Sequence, residues 1–211
     1  MENKGLRIVA HFHSNFKSLI VILNQICPSS SSCKAATTMT TPASHPIQNR
    51  TLVFAYGTLK RGFPNHNLLL DLISDKDATF LGPHKTSTSF PLIIGPHGIP
   101  YLINIPGSGF RVAGELYSVT DKALARLDEL EGVGIGHYER LPVVVDGVMK
   151  VEAEAYFGHR SFGEEMWRRK SGVVVVEEYT AEMAVGYVRR ADRIGGSGCI
   201  LDDIKKFLEA S

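Results

Sequence analysis

Two stretches of this 211-residue chain bring together groups able to do chemistry. Over residues 121–131, Leu124, Leu127 and Leu130 recur at helical spacing. At about 100° per residue, Glu131 projects within about 20° of Leu124, so its carboxylate points towards the apolar side of the helix. Glu129 projects to roughly the opposite side and Asp128 to the edge, where water solvates both. Removing an acid from water disfavours its charged form and lifts its pKa towards the range useful to a general base or acid near neutral pH. The plainer reading is that Glu131, beside Gly132 at the helix end, turns out to water or pairs with Arg140. Helix ends fray, so on spacing alone the plainer reading is preferred.

The second stretch is Tyr56-Gly57-Thr58-Leu59-Lys60-Arg61-Gly62. The apolar run 52–56 reads as a buried strand opening into a glycine-bounded loop. Successive backbone N–H groups in such a loop form a concave nest that can hold a carboxylate or a developing oxyanion without a charged side chain. The spacing is not that of a phosphate-binding P-loop, which excludes nucleotide phosphate as the default ligand. Taken alone, the stretch is better read as a turn from strand to helix with Lys60 and Arg61 in solvent.

These groups need a scaffold, and the chain from residue 51 onward supplies one. Residues 65–73 carry Leu68, Leu69, Leu72 and Ile73 at helical spacing. Extended segments are expected at 79–81, 101–105, 110–119, 138–145 and 151–157, punctuated by Gly95, Pro96, Pro106, Gly107, Gly109 and Gly147. Thr120 reads as the N-cap of a helix with body 121–131. Later residues suggest a strand at 173–176, a helix at 180–190, a flexible joint at 195–198 and an amphipathic helix at 199–208. That last helix serves packing or partner contact rather than catalysis. Strands with inserted helices predict an α+β fold built on a closed or nearly closed barrel rather than a doubly wound sheet.

Composition narrows the ligand. Lys plus Arg number 23 against 22 Asp plus Glu, so no strong field exists to gather nucleic acid or an anionic membrane. Cys27, Cys33 and Cys199 are too few for a disulfide framework and lack zinc-site spacing; they read as thiols in a reducing compartment. The apolar run 19–23 is far short of the about 20 residues that a membrane span requires. Residues 1–50 hold a single acid, Glu2, among Lys4, Arg7, Lys17, Lys34 and Arg50, with a serine run at 29–32. Such a disordered extension is either an organelle-targeting peptide or a mistaken start upstream of Met39. The expected location is accordingly cytoplasmic, or chloroplast or mitochondrion if residues 1–50 are a transit peptide.

Taken together, the stretches resemble a known family. LVFAYGTLKRGFPNHN, residues 52–67, is similar to the N-terminal signature of γ-glutamylamine cyclotransferase and its γ-glutamylcyclotransferase-like relatives. The resemblance continues through FPLIIGPHGIPYLINIPGSG, GELYSVTDKALARLDELEG and HYER, in the family's order. It implies a small mixed β-barrel with flanking helices, residues 51–211 forming the domain, and a ligand cavity at the barrel mouth. It also implies that Tyr56, Gly57, Thr58 and Leu59 bind the glutamyl portion of the substrate, and that Glu131, in the L-D-x-x-E position, is the catalytic acid/base. The implied reaction is cyclisation of a γ-glutamyl amine such as γ-glutamyl-ε-lysine, or of a γ-glutamyl dipeptide, releasing 5-oxoproline and free amine. Nucleophile and electrophile arrive tethered in one substrate, so neither metal nor cofactor is expected.

Asn65, His66, Tyr138 and Arg140 match the same motifs and are given no catalytic role. Phe162 and Trp167, near Arg168 and Lys170, either cover the pocket or anchor a surface helix. The extension and the segment after Gly172 depart from the family. The competing function is a catalytically idle binding or regulatory module with the same barrel; a third is a scaffold that recruits a partner through its last helix.

Overall fold

Alternate residues along the strands are apolar on both sides, and the fold fills a core with each side. The computed structural model describes residues 49–147, 149–169, 174–193 and 199–210. β1 (Arg50–Ala55) runs antiparallel to β5 (Ala113–Thr120), whose other edge takes β2 (Ala78–Thr86). β2 meets β6 (Tyr138–Asp146) over a short stretch, and β6 pairs along its length with β7 (Val151–Gly158). From β7 the sheet continues through β4 (Pro100–Leu102) and β3 (Leu92–Ile94) to β8 (Val175–Val176). Val53 also pairs in parallel with Glu154, joining β1 back to β7, so the eight-stranded mixed sheet curls into an incompletely closed barrel.

The helices α1 (His66–Ser74), α2 (Asp121–Glu131) and α5 (Ile200–Glu209) flank the sheet. Val53, Tyr101, Tyr117 and Val119 form one core with Leu69, Leu127 and Ile204 of these helices. Their strand neighbours Phe54, Leu102, Leu116 and Phe157 form a second core without helix α1, α2 or α5. This two-sided demand explains why residues 52–56 are continuously apolar rather than alternating. Ile200, Ile204 and Leu208 of α5 are buried, so the amphipathic face of the last helix is used in packing.

Several elements differ from the sequence expectation. β2 runs on to Thr86 through Gly82 and Pro83 because a bulge absorbs them: the register shifts between Phe80 and Gly82, and Gly82 has φ 116°. The three-residue β3 was not expected between proline and glycine. The helix expected at 180–190 contracts to α4 (Ala181–Ala184), followed by a 3-10 turn, Arg190–Asp192. A short α3 (Gly163–Arg168) carries Trp167, half-buried against the first core, and buried Phe162 stands edge-on to Tyr101; neither side chain covers the cavity described below. The expected extension up to residue 48, Cys27, Cys33, the 19–23 run, Val173, Lys170 and the 195–198 joint lie outside the described residues.

Candidate active site

Helix α2 is fixed at both ends, and that fixes Glu131. The Thr120 hydroxyl accepts from the Ala123 N–H at 3.3 Å and donates to Asp77 Oδ1 at 3.0 Å, capping the helix. Gly132, with φ 68°, ends it in a left-handed cap that a β-carbon would strain. The next turn brings the His137 N–H onto the Gly132 carbonyl at 3.1 Å. Glu131 is thus the last helical residue. It lines a cavity of about 980 Å³ together with Thr58, Asn65, His137, Tyr138 and Tyr187. It also lines an adjoining recess of about 20 Å³, room for about one water, with Tyr56, Gly57, Thr58, Leu59 and Tyr156.

As a residue Glu131 is only half-buried, but its carboxyl group sits where aromatic rings exclude water. Burial, with no compensating cation, pushes the carboxyl up to about 8. It neither escapes to solvent nor pairs with Arg140. That arginine pairs with Asp128 at 3.0 Å and with Glu154. Asp128 is not the freely solvated edge acid that the helix projection suggested: it also accepts from the Tyr156 hydroxyl at 2.8 Å, tying α2 to β7. Glu129 is exposed as expected, whereas Leu130, expected on the apolar face, is exposed too, because it lines the open cavity.

The loop after β1 meets Glu131 across the recess. Residues 56–60 are all buried. The Gly57 carbonyl accepts from the Lys60 N–H at 3.1 Å, and the Thr58 carbonyl from the Asn65 N–H at 3.0 Å. Among the described residues, none accepts from the N–H groups of Gly57, Thr58 or Leu59. Buried backbone donors are seldom left unpaired, and three in succession beside a cavity are groups that an anion could satisfy. Gly57 is required by crowding: a β-carbon there would lie 2.6 Å from Cγ of Pro100.

The remaining motif residues hold this arrangement in place. The Tyr56 hydroxyl donates to the Tyr156 carbonyl at 2.6 Å and accepts from the Leu102 N–H at 3.2 Å, leaving its ring rather than its hydroxyl to the recess. His66 Nδ1 lies 3.0 Å from the Leu59 carbonyl, which can only accept, so Nδ1 carries the hydrogen. Asn65 Nδ2 reaches Thr58 Oγ1 at 2.9 Å and the Tyr187 hydroxyl at 3.0 Å. Lys60 is buried and paired with Glu178 at 3.0 Å, not solvated; Arg61 is exposed but paired with Glu115 and seated over the Phe80 ring.

Four more side chains line the cavity: His137 and Tyr138, which lie in the HYER motif but are given no catalytic role there, and Tyr187 and Arg193, which no motif marks. His137 Nε2 lies 2.9 Å from the Tyr101 hydroxyl, and burial, then the charge of Arg193, pulls the imidazole down to about 4, so it is neutral. Tyr138, beside it, donates to the Pro100 carbonyl at 2.8 Å and stacks on Tyr101. Tyr187 and Arg193 belong to chain far from any motif and close the opposite side of the cavity. A separate cleft of about 660 Å³ borders Lys60, Arg61 and Arg111, but these cations are already paired with Glu178, Glu115 and Asp146 and the cleft lacks Glu131.

Comparison with known proteins bears on what this geometry serves. Residues 53–179 match the family described as Gamma-glutamyl cyclotransferase, AIG2-like. The chain belongs to this family. An Arabidopsis thaliana protein named "Putative gamma-glutamylcyclotransferase" is 48% identical over 158 residues, 68% of this chain and 84% of that protein. The Rattus norvegicus gamma-glutamylaminecyclotransferase is 53% identical over 81 residues, 38% of this chain and about half, 54%, of that relative. The crystal structure of an AIG2-like protein from Mus musculus aligns with TM-score 0.59 at 34% identity, covering 68% of this chain and 99% of that one. The AIG2-like match spans β1 to Tyr179 and so contains both the loop and Glu131. The wall built by Tyr187, Arg190 and Arg193 follows it.

Proposed function

We propose that this chain cyclises a γ-glutamyl amide to 5-oxoproline and free amine, with Glu131 carrying the protons. One observation supports this most strongly: an unpaired, desolvated carboxyl shares a recess with three unpaired backbone donors. The α-nitrogen of the substrate attacks its own γ-carbonyl carbon, forming the ring C–N bond, and the bond to the leaving nitrogen breaks. Over the reaction the α-ammonium loses two protons and the leaving nitrogen gains two, so a group that accepts and returns protons suffices.

Glu131 is suited to that exchange because its value of about 8 keeps both its protonated and its ionised form accessible near neutral pH, so it can accept and return a proton. An incoming α-ammonium draws Glu131 towards its carboxylate form, which accepts a proton as the ring closes and returns it as the amine departs. The N–H groups of Gly57, Thr58 and Leu59 anchor the glutamyl carboxylate and support the oxyanion of the tetrahedral intermediate. Tethering within one substrate supplies proximity that a two-substrate enzyme must build from binding.

Residues 51–211 are read as the enzyme domain, with residues 1–50 preceding it. Among the described residues no helix is long and apolar enough to cross a membrane. The test is a panel of γ-glutamyl amines and dipeptides assayed by mass spectrometry for 5-oxoproline. Release of 5-oxoproline and amine in equal amounts is expected from at least one; a panel turned over nowhere contradicts the reading and favours an idle binding module.

A further inference from the structure

The acid and the loop of the proposed site meet at a seam of the barrel. Strand β7 pairs with β1 at one position, Val53 with Glu154, and with β4 at one position, Leu102 with Phe157. Backbone ladders therefore do little to set helix α2 against the loop that follows β1. Side-chain bonds do so instead, and they converge on Tyr156, which lies on β7 between those two positions. Its carbonyl accepts from the Tyr56 hydroxyl at 2.6 Å, and its own hydroxyl donates to Asp128 Oδ1 at 2.8 Å. Tyr56 opens the loop, while Asp128 stands one helical turn before Glu131. One residue thus holds the loop through its main chain and the acid's helix through its side chain.

Both links are reinforced. Tyr56 and Tyr156 are buried, and the Tyr56 hydroxyl also takes the Leu102 N–H at 3.2 Å, bridging the seam to β4. Asp128 is held in turn by Arg140 at 3.0 Å, and Arg140 by Glu154, two residues before Tyr156 on the same strand. Strand β7 therefore grips Asp128 twice, directly and through Arg140. Burial, and next the bond to Asp128, raise the Tyr156 phenol above its ordinary range, so it stays protonated and its hydrogen stays with Asp128. The ring is what Tyr156 presents to the recess beside Glu131. The Glu131 carboxyl has no cation to hold it, so its place depends on where the last turn of α2 is set.

We propose that Tyr156 is a positioning residue of the cyclisation: through Asp128 it sets the last turn of α2, and with it Glu131, at the separation from the loop that ring closure requires. The inference rests on the cyclotransferase reading and adds the residue that joins its two halves. Tyr156→Phe removes the hydroxyl but keeps the ring and the carbonyl that holds Tyr56. On the best substrate of the γ-glutamyl panel, kcat should then fall about tenfold to hundredfold, the scale of an ångström's misplacement, with KM within about twofold. Tyr56→Phe cuts the other link and should act mainly by raising KM.

A double-mutant cycle separates a route through Asp128 from direct contact with substrate. In an Asp128→Ala background, Tyr156→Phe should cost almost nothing further. Asp128→Asn, which keeps an oxygen to accept from the hydroxyl, should retain most of the wild-type kcat. Unchanged kcat in Tyr156→Phe, an equal loss in both backgrounds, or a loss confined to KM overturns the inference and leaves the cyclotransferase reading standing. Should Asp128→Ala fail to fold, the carboxyl of Glu131 is titrated by ¹³C NMR in Tyr156→Phe instead. Its midpoint should move from about 8 towards 4.5 as water reaches the displaced group, and an unmoved midpoint overturns the inference. Absence of 5-oxoproline from the wild type across the whole panel overturns the two together.

Discussion

The wall carrying Glu131 and the loop at residues 57–59 is set by local rules: a threonine cap, a left-handed glycine, and a glycine pressed against a proline. The wall carrying Tyr187, Arg190 and Arg193 has almost no local structure and is held by bonds to chain about 90 to 120 residues earlier. The first wall lies inside the AIG2-like segment and the second after it. The contrast separates a locally determined wall, which holds the groups of the proposed reaction, from a wall whose place is set by tertiary contacts alone. Substitutions in the first should therefore strike the reaction itself on every γ-glutamyl substrate, while substitutions in the second should act through the contacts that hold the cavity's shape.

The largest effect is expected at Glu131. Glu131→Gln should cut kcat/KM by about 10²- to 10⁴-fold on every amide, the usual contribution of a positioned acid/base. Glu129→Gln, exposed on the same helix, should leave rates unchanged; a comparable loss there would point to helix damage instead of proton transfer.

Gly57→Ala comes next. The 2.6 Å approach to Pro100 forces the loop or β4 to shift, and about an ångström of displacement costs up to about 100-fold. The loss should again be uniform across substrates, and wild-type rates in this variant would remove the loop from the site. Tyr187→Phe, which strips one partner from Asn65, should produce a smaller change of several-fold in KM, in keeping with about 1 kcal/mol for one hydrogen bond.

The smallest effect is on stability. Folding raises Glu131 from 4.5 to about 8, so the folded chain binds more protons between those values. Its contribution to stability is complete below 4.5 and is lost as pH rises through about 8. Urea denaturation of Glu131→Gln should show a shallower decline between pH 5 and 9 than the wild type; parallel profiles would contradict the burial of this carboxyl.

Much of the first wall was legible in the sequence for the same reason that it is locally determined. The Thr120 cap and the bounds of α2 follow from capping and periodicity, which act within a few residues. Helix projection also turns Glu131 inward, but spacing alone favours its escape to water, and only the packing around its carboxyl decides otherwise. Projection failed where tertiary contacts intervene. Asp128 looked like a surface acid until β7 delivered Tyr156, and Leu130 looked buried although it borders the open cavity. Lys60 looked solvated, and only the return of the chain at Glu178 buries it. The extent of β2 was hidden because glycine and proline ordinarily end strands, whereas here a bulge carries the strand past them. No local signal marks Arg190 or Arg193; an arginine without a partner is recognisable only once the acids around it have been placed.

On the proposed function, one desolvated carboxyl and the loop donors share a ligand. This can be tested by following the side-chain carboxyl of Glu131 by NMR in protein carrying ¹³C-labelled glutamate, assigned by its loss in Glu131→Gln, through a pH titration with and without 5-oxoproline. A midpoint near 8 that moves when the product binds is expected. A midpoint near 4.5, indifferent to 5-oxoproline, would contradict it.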